Sequence, residues 1–260
     1  MTSEALMAIP TSHPAAASAT APGATPATAP LSLPARVLGV LFSPRRTYAD
    51  VAAHPRWLGV FIVIVALTSA VGTAFLSTEV GRNAVIDQQI TQSEAYGRQL
   101  NQTQIDRIEQ ISTYYKYLVP IFQLLGLIFA ALLISGLSFA VFSAALGSDS
   151  TFRQTFAVVV HSGVVLIVQS LFSTPLAYAR GTLSSATSLA VFAPFLEDRS
   201  FAARLLGSVD LFQIWWIMSL AIGLGVLSRK RTAPIATSLV VIYLAIGVVI
   251  AAIKTAVSGA

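Results

Sequence analysis

Long uncharged apolar runs separated by polar segments repeat five times between Trp57 and Ile253. The runs cover about residues 57–78, 117–146, 155–179, 211–228 and 234–253. A helix needs about 20 apolar residues to cross roughly 30 Å of hydrocarbon. Because lipid offers backbone groups no hydrogen-bond partner, each run must be helical. The pattern therefore predicts an all-α, polytopic membrane protein built as a bundle of five transmembrane helices. The last two runs are joined by SRKRTAP alone, which leaves an antiparallel hairpin as their geometry. In the second run Gly136, Ala140 and Ala144 recur every four residues and form a smooth ridge on which another helix can pack closely. Pro120 falls in the first turns of its helix, where a missing N–H costs little.

The polar stretches carry patterns of their own. From Glu79 to Lys116 the chain is rich in Gln, Glu and Arg with a partial stripe of isoleucines, predicting an amphipathic helix weakened near Gly97. The apolar piece LSSATSLAVFAPFL between runs three and four contains Pro194 and is too short to span, which predicts an interfacial or re-entrant segment. Before the first run, FSPRRTYADVAAHPRW begins with Ser43 and Pro44, a pairing that starts helices. A helical wheel from Pro44 places Tyr48, Val51 and Ala52 on one face and Arg46 and Asp50, at i,i+4 spacing, on the other. This predicts an N-terminal interfacial amphipathic helix, with Arg45, Arg46 and Tyr48 as candidate contacts to lipid or a partner. Residues 1–34 are rich in Ala, Pro, Thr and Ser with six spaced prolines, the composition of a disordered tail.

Composition narrows the picture. Only 10% of residues are charged, against about 25% in a soluble domain. The net charge of +5 sits in loops and beside spans, where it orients the protein and attracts anionic lipid; no basic stripe interleaved with aromatics suits nucleic acid. With no cysteine, disulfides, thiolate metal sites and cysteine nucleophiles are excluded. The basic residues divide equally between the two sides of a five-span topology, so their number does not orient it. The compact clusters before the first span, and Arg229, Lys230 and Arg231 in the tightest loop, place the N-terminus in the cytoplasm. Those three residues are the topology-determining set.

Candidate chemistry is sparse. His161 is the titratable residue well inside a span, and ionisable groups in hydrocarbon are functional suspects. Asp210 opens the fourth run, where a carboxylate caps free N–H groups and meets the helix dipole favourably. Gln123, Gln169 and Gln213 could hydrogen-bond to one another between spans. His161, Gln169, Asp210 and Gln213 are thus the intramembrane or interfacial polar candidates. No HExxH, paired carboxylates, phosphate-binding glycine loop or GxSxG elbow occurs, so neither a catalytic residue nor a cofactor or metal ligand is expected.

Three ordered stretches carry a resemblance: FSPRRTYADVAAHPRW, GSDSTFRQTFAVVVHS and SVDLFQIWWIMSLAIGLGVLSRKR. Together they resemble bacterial members of the Yip family (Ypt/Rab-interacting membrane proteins). The resemblance implies a Yip-like membrane domain over residues 35–257 with five spans and a cytoplasmic N-terminus, in a bacterial cytoplasmic (inner) membrane. Eukaryotic Yip proteins are associated with Rab GTPases, vesicle traffic and membrane shaping, and carry an Asp-Leu-x-Gly-Pro motif before the first span. Here that place holds TYADVAAHPRW, so a Rab-type GTPase is not carried over as a partner. The expected function is non-enzymatic: a membrane protein that organises lipids or protein partners, with copies of itself among the candidates. The alternative is a small-solute or ion transporter using the polar residues inside the bundle.

Overall fold

The computed structural model describes residues 29–95, 98–145, 147–197 and 200–257. The tail expected over residues 1–34 falls outside them as far as residue 28. Two short helices come first, α1 (Leu33–Phe42) and α2 (Pro44–Ala53), followed by the first spanning helix, α3 (Leu58–Leu76). Two polar helices, α4 (Glu79–Ala95) and α5 (Gln102–Ser112), lead to α6 (Tyr115–Phe139), which continues as a π-helical turn over Ala140–Ala145. The third span is α7 (Phe152–Ser162) and α8 (Val164–Arg180) in succession. A 3₁₀ turn, Leu189–Phe192, and α9 (Phe201–Ser208) precede α10 (Leu211–Ser228) and α11 (Thr232–Val257). Five helical stretches are long and apolar enough to cross a membrane: Leu58–Leu76, Tyr115–Ser143, Phe152–Arg180, Leu211–Ser228 and Thr232–Val257. No strand forms among the described residues. The protein is a multi-pass integral membrane protein.

The third span is the axis. Its residues from Thr155 to Val165 are all buried, the signature of a helix surrounded on every side. α3, α6, α10 and α2 pack around it. The sequence pattern starts this span at Thr155, but α7 begins at Phe152 because Thr151 and Gln154 form a reciprocal capping box. The pattern also shows the span as continuous, whereas the α-helix is interrupted at Gly163, where the turn tightens through a Gly163 N–H to Val160 carbonyl bond of 3.1 Å.

The hairpin of α10 and α11 closes as expected, through Arg229 in the left-handed region at φ 55°. Lys230 N–H then returns to the Gly225 carbonyl at 3.0 Å, so the reversal needs no longer loop. Gly225 stands where a Cβ would lie 3.2 Å from the Lys230 carbonyl oxygen, which keeps that position small.

The polar connector is two helices. Asn101 and Gln104 form the capping box that starts α5, and Gln89 on α4 donates to the Tyr115 hydroxyl at 2.5 Å, tying the connector to the head of α6. Gly97, where the sequence pattern weakens the helix, is outside the described residues. The ridge position Gly136 meets no neighbouring atom within 4 Å, so that part of the ridge faces outward.

Candidate functional site

The N-terminal segment does not lie loosely on the bundle; it is built into one end of it. The run VLGVLF, just upstream of Ser43, is most of a helix of its own. Pro44 forces a new start after Ser43, which occupies the cap position without a side-chain capping bond. Gly39 lets α1 fold back on α2, because any Cβ there would collide with the Thr47 side chain.

From α2, Thr47, Tyr48 and Val51 point inward and are buried. α2 packs on α10 and α7. At the crossing with α10 stands Gly223, where a Cβ would come within 2.5 Å of Val158 and 2.9 Å of the Tyr48 ring. Only the missing side chain permits that approach. Tyr48 is 0% exposed, and its hydroxyl shares a 2.7 Å hydrogen bond with the Ser219 hydroxyl of α10. Burial pushes the phenol's ionisation up, and the bond to Ser219 offsets this only in part. Tyr48, expected beside Arg45 and Arg46 as a surface contact, is therefore corrected to a core anchor. A ring with one polar tip suits a buried position that offers one hydroxyl partner. Gln154, besides capping α7, donates to the Ala52 carbonyl at 2.9 Å and clamps the end of α2.

The two helices are pinned together by a charge pair. Arg36 of α1 is 3% exposed, and its Nη2 lies 2.7 Å from Asp50 Oδ2, an ion contact not aligned as a hydrogen bond. Nη1 of the same guanidinium donates to the Arg56 carbonyl at 3.2 Å, and Asp50 Oδ1 accepts from the Leu31 N–H at 3.1 Å. The i,i+4 partnership of Arg46 with Asp50 that the helical wheel suggests is not made: Arg46 is exposed and Asp50 is turned to Arg36. The attraction between a carboxylate and a buried guanidinium is stronger than that to a solvated arginine, since screening falls with burial, though desolvation offsets much of it.

His161 sits beneath this pair at 0% exposure. Its Nδ1 lies 2.7 Å from the Ala157 carbonyl oxygen, which can only accept, so Nδ1 carries the proton and donates. That leaves Nε2 as an acceptor, buried without a protein partner.

Outward from the dock, the same helices present a mixed rim. Leu38 and Phe42, one turn apart on α1, are 58% and 80% exposed. Arg45 and Arg46 follow at the head of α2, both exposed. Chain reversal brings Arg153 at the start of α7, and the exposed Arg229, Lys230 and Arg231, to this same end of the bundle.

At the opposite end Asp210 does what its position predicts. Its Oδ1 accepts from the Phe212 and Gln213 N–H groups at 2.8 and 3.3 Å, capping α10. Its Oδ2 accepts from the Ser185 and Thr187 hydroxyls at 2.8 and 2.5 Å, which fastens the loop before α10. The Asp210 N–H donates to the Tyr243 hydroxyl of α11, which itself donates to the Ser208 carbonyl.

The three glutamines do not form a network with one another. Gln123 donates instead to Thr68 at 2.5 Å, while Gln169 and Gln213 are half-buried on α8 and α10. His161 lies in the interior of the third span and Asp210 at the end of the bundle where α10 begins, so the four polar candidates are not gathered into one site. No group of three or more His, Asp or Glu is placed to hold a metal among the described residues. Sequence reasoning missed Arg36, Ser219 and Gly223. One signal was available for Arg36: a lone arginine inside the apolar run LPARVLGVLF needs a partner.

No curated protein and no solved structure matches the chain. The model of the Yip1 domain, however, matches residues 38–253, from α1 to the last turns of α11. The match takes in α2, four spans whole, the fifth as far as residue 253, and the Asp210 cap, and begins two residues after Arg36: the chain belongs to the Yip1 domain family.

Proposed function

We propose that this Yip1-family protein is a non-enzymatic organiser of the membrane and of partners at its surface, acting through the rim beside the N-terminal dock. The observation that carries this reading is rigid presentation. Arg36–Asp50 and Tyr48–Ser219 fix α1 and α2 from within, so Leu38, Phe42, Arg45 and Arg46 are displayed on a rigid support. Apolar side chains beside arginines suit the acyl–headgroup boundary of an anionic leaflet, where each basic residue near the surface adds about 1 kcal/mol. The basic residues in the α10–α11 loop and before α3 support a cytoplasmic placement of this rim.

The test uses the full chain in nanodiscs with spin-labelled lipids. The motionally restricted fraction should favour phosphatidylglycerol over phosphatidylcholine, and replacing Arg45 and Arg46 with alanine should remove that preference. An unchanged preference in the double variant defeats the reading. A reporter fused after Arg231 should be active only when it is cytoplasmic; external activity overturns the orientation.

A further inference from the structure

A crevice of about 210 Å³ runs through the middle of the bundle, separate from the N-terminal dock. Its walls include Ile64 of α3, Ala130 and Ala131 of α6, Gly163 between α7 and α8, and Gln213 and Trp216 of α10. α6 and α10 both pack on α7 but make no extended contact with each other, and the crevice lies between them. Small side chains at 130, 131 and 163 hollow it out.

Depth decides what can fill it. Gly163 lies about 17 Å along the span that starts at Phe152, by helical rise, near the centre of a bilayer core of about 30 Å. The lining is apolar apart from the Gln213 amide and the indole N–H of Trp216. Apolar cavities stay dry and take apolar guests, and one left empty forfeits dispersion contacts on every wall. The interruption of the third span points the same way. Irregular backbone at membrane depth is tolerated where it is buried in protein or lines a cavity, and the turn at Gly163 lines this one.

The crevice also has a direction. Gln213 is two residues inside the start of α10, just below the Asp210 cap, and Trp216 follows within one turn, so the polar groups stand toward the rim opposite the N-terminal dock. A guest with a long hydrocarbon tail and a hydrogen-bond acceptor at its shallow end fits that polarity.

We propose that the crevice is a lipid site that holds one acyl chain of a phospholipid from the leaflet at the Asp210 end, with its ester carbonyl on the side of the Gln213 amide. The bundle thereby carries a resident lipid distinct from the surrounding annulus and independent of the arginine rim.

Native mass spectrometry of the full chain released from phosphatidylglycerol nanodiscs tests this. One phospholipid per chain should survive activation that strips the rest. Ala130→Phe, which fills the crevice, should cut that retained fraction at least tenfold while the thermal midpoint in detergent stays level or rises. Gln213→Leu should leave the crevice open yet lower retention severalfold. Equal retention in wild type and Ala130→Phe overturns the proposal, as does retention of an isoprenoid mass in place of a phospholipid. Should Ala130→Phe not fold, lipid brominated at mid-chain decides on the folded wild type. Trp216 should be quenched by it, seen as a loss of quenching in Trp216→Phe, and no difference between the two overturns the site.

Discussion

The two ends of this bundle solve one problem with similar chemistry in opposite surroundings. At each end a carboxylate fastens a segment that does not span: Asp50 of α2 holds α1 through Arg36, and Asp210 at the head of α10 holds the loop around Ser185 and Thr187. Asp210 accepts two N–H bonds from the first turn of its own helix and two hydroxyl bonds from the loop before it, all without a charged partner. Asp50 works in the interior and between two helices, with its cationic partner 3% exposed. A buried ion pair adds little net stability over an apolar pair of equal volume, because desolvation offsets the attraction. Removing one partner is another matter, since it strands a charge. The Asp50 end should thus be specific and brittle, and the Asp210 end forgiving.

The largest effect should therefore come from Asp50→Ala, which strands Arg36. A loss of about 3–5 kcal/mol is expected, read as a lower thermal midpoint of the purified chain in detergent. Combining Asp50→Ala with Arg36→Met should recover most of it. If the single variant loses no more than Asp210→Ala does, the contrast between the ends collapses.

Next stands the crossing of α2 and α10. Gly223→Val places methyl groups where Val158 and the Tyr48 ring already lie, and should cost about 1–3 kcal/mol through overpacking. If the dock is the rigid support proposed for the rim, this variant should also weaken the phosphatidylglycerol preference without touching an arginine. An undiminished preference would separate the rim from the dock.

Tyr48→Phe is gentler. It leaves the Ser219 hydroxyl without its partner, an effect of about 1–2 kcal/mol, and adding Ser219→Ala should restore part of the loss. The pH dependence has a definite sign. The folded-state phenol is pushed above its ordinary 10.0, so the unfolded chain loses that proton first as pH rises. Wild type should therefore lose stability relative to Tyr48→Phe above about pH 10, and the two should run parallel below it. A constant difference from pH 8 to 11 would mean that Tyr48 is not sealed in the core.

The same contrast explains what could be read from the sequence. The spans were legible because hydrocarbon thickness imposes a length and an absence of charge that no neighbour can supply. Asp210 was legible because capping is settled within three residues of the chain. The dock was not, because its partners are set by tertiary packing: Tyr48 and Ser219 are 171 residues apart, and local spacing offered Asp50 a nearer cation in Arg46. The i,i+4 rule describes what an isolated helix would choose; burial of Arg36 chose differently. The break at Gly163 was equally hidden, since glycine in a long apolar run reads as an ordinary span residue.

The smallest effect belongs to the Asp210 end, and it distinguishes charge from geometry. Asp210→Ala removes the cap and both hydroxyl partners and should cost about 1 kcal/mol, within the range of other N-cap losses. Asp210→Asn keeps an acceptor oxygen for the N–H groups, and asparagine caps about as well as aspartate. Its amide nitrogen, however, cannot accept the hydroxyl protons that the second carboxylate oxygen takes from Ser185 and Thr187. The exposed Ser185 hydroxyl can turn to water, and the Thr187 hydroxyl, on a buried residue, lies 3.2 Å from that of Ser185 and can bond to it instead. Asp210→Asn should accordingly sit within a few tenths of a kcal/mol of wild type, while Asp50→Asn, facing a buried guanidinium with no carboxylate, stays severe. Equal thermal midpoints for the two asparagine variants would show that burial does not separate the ends.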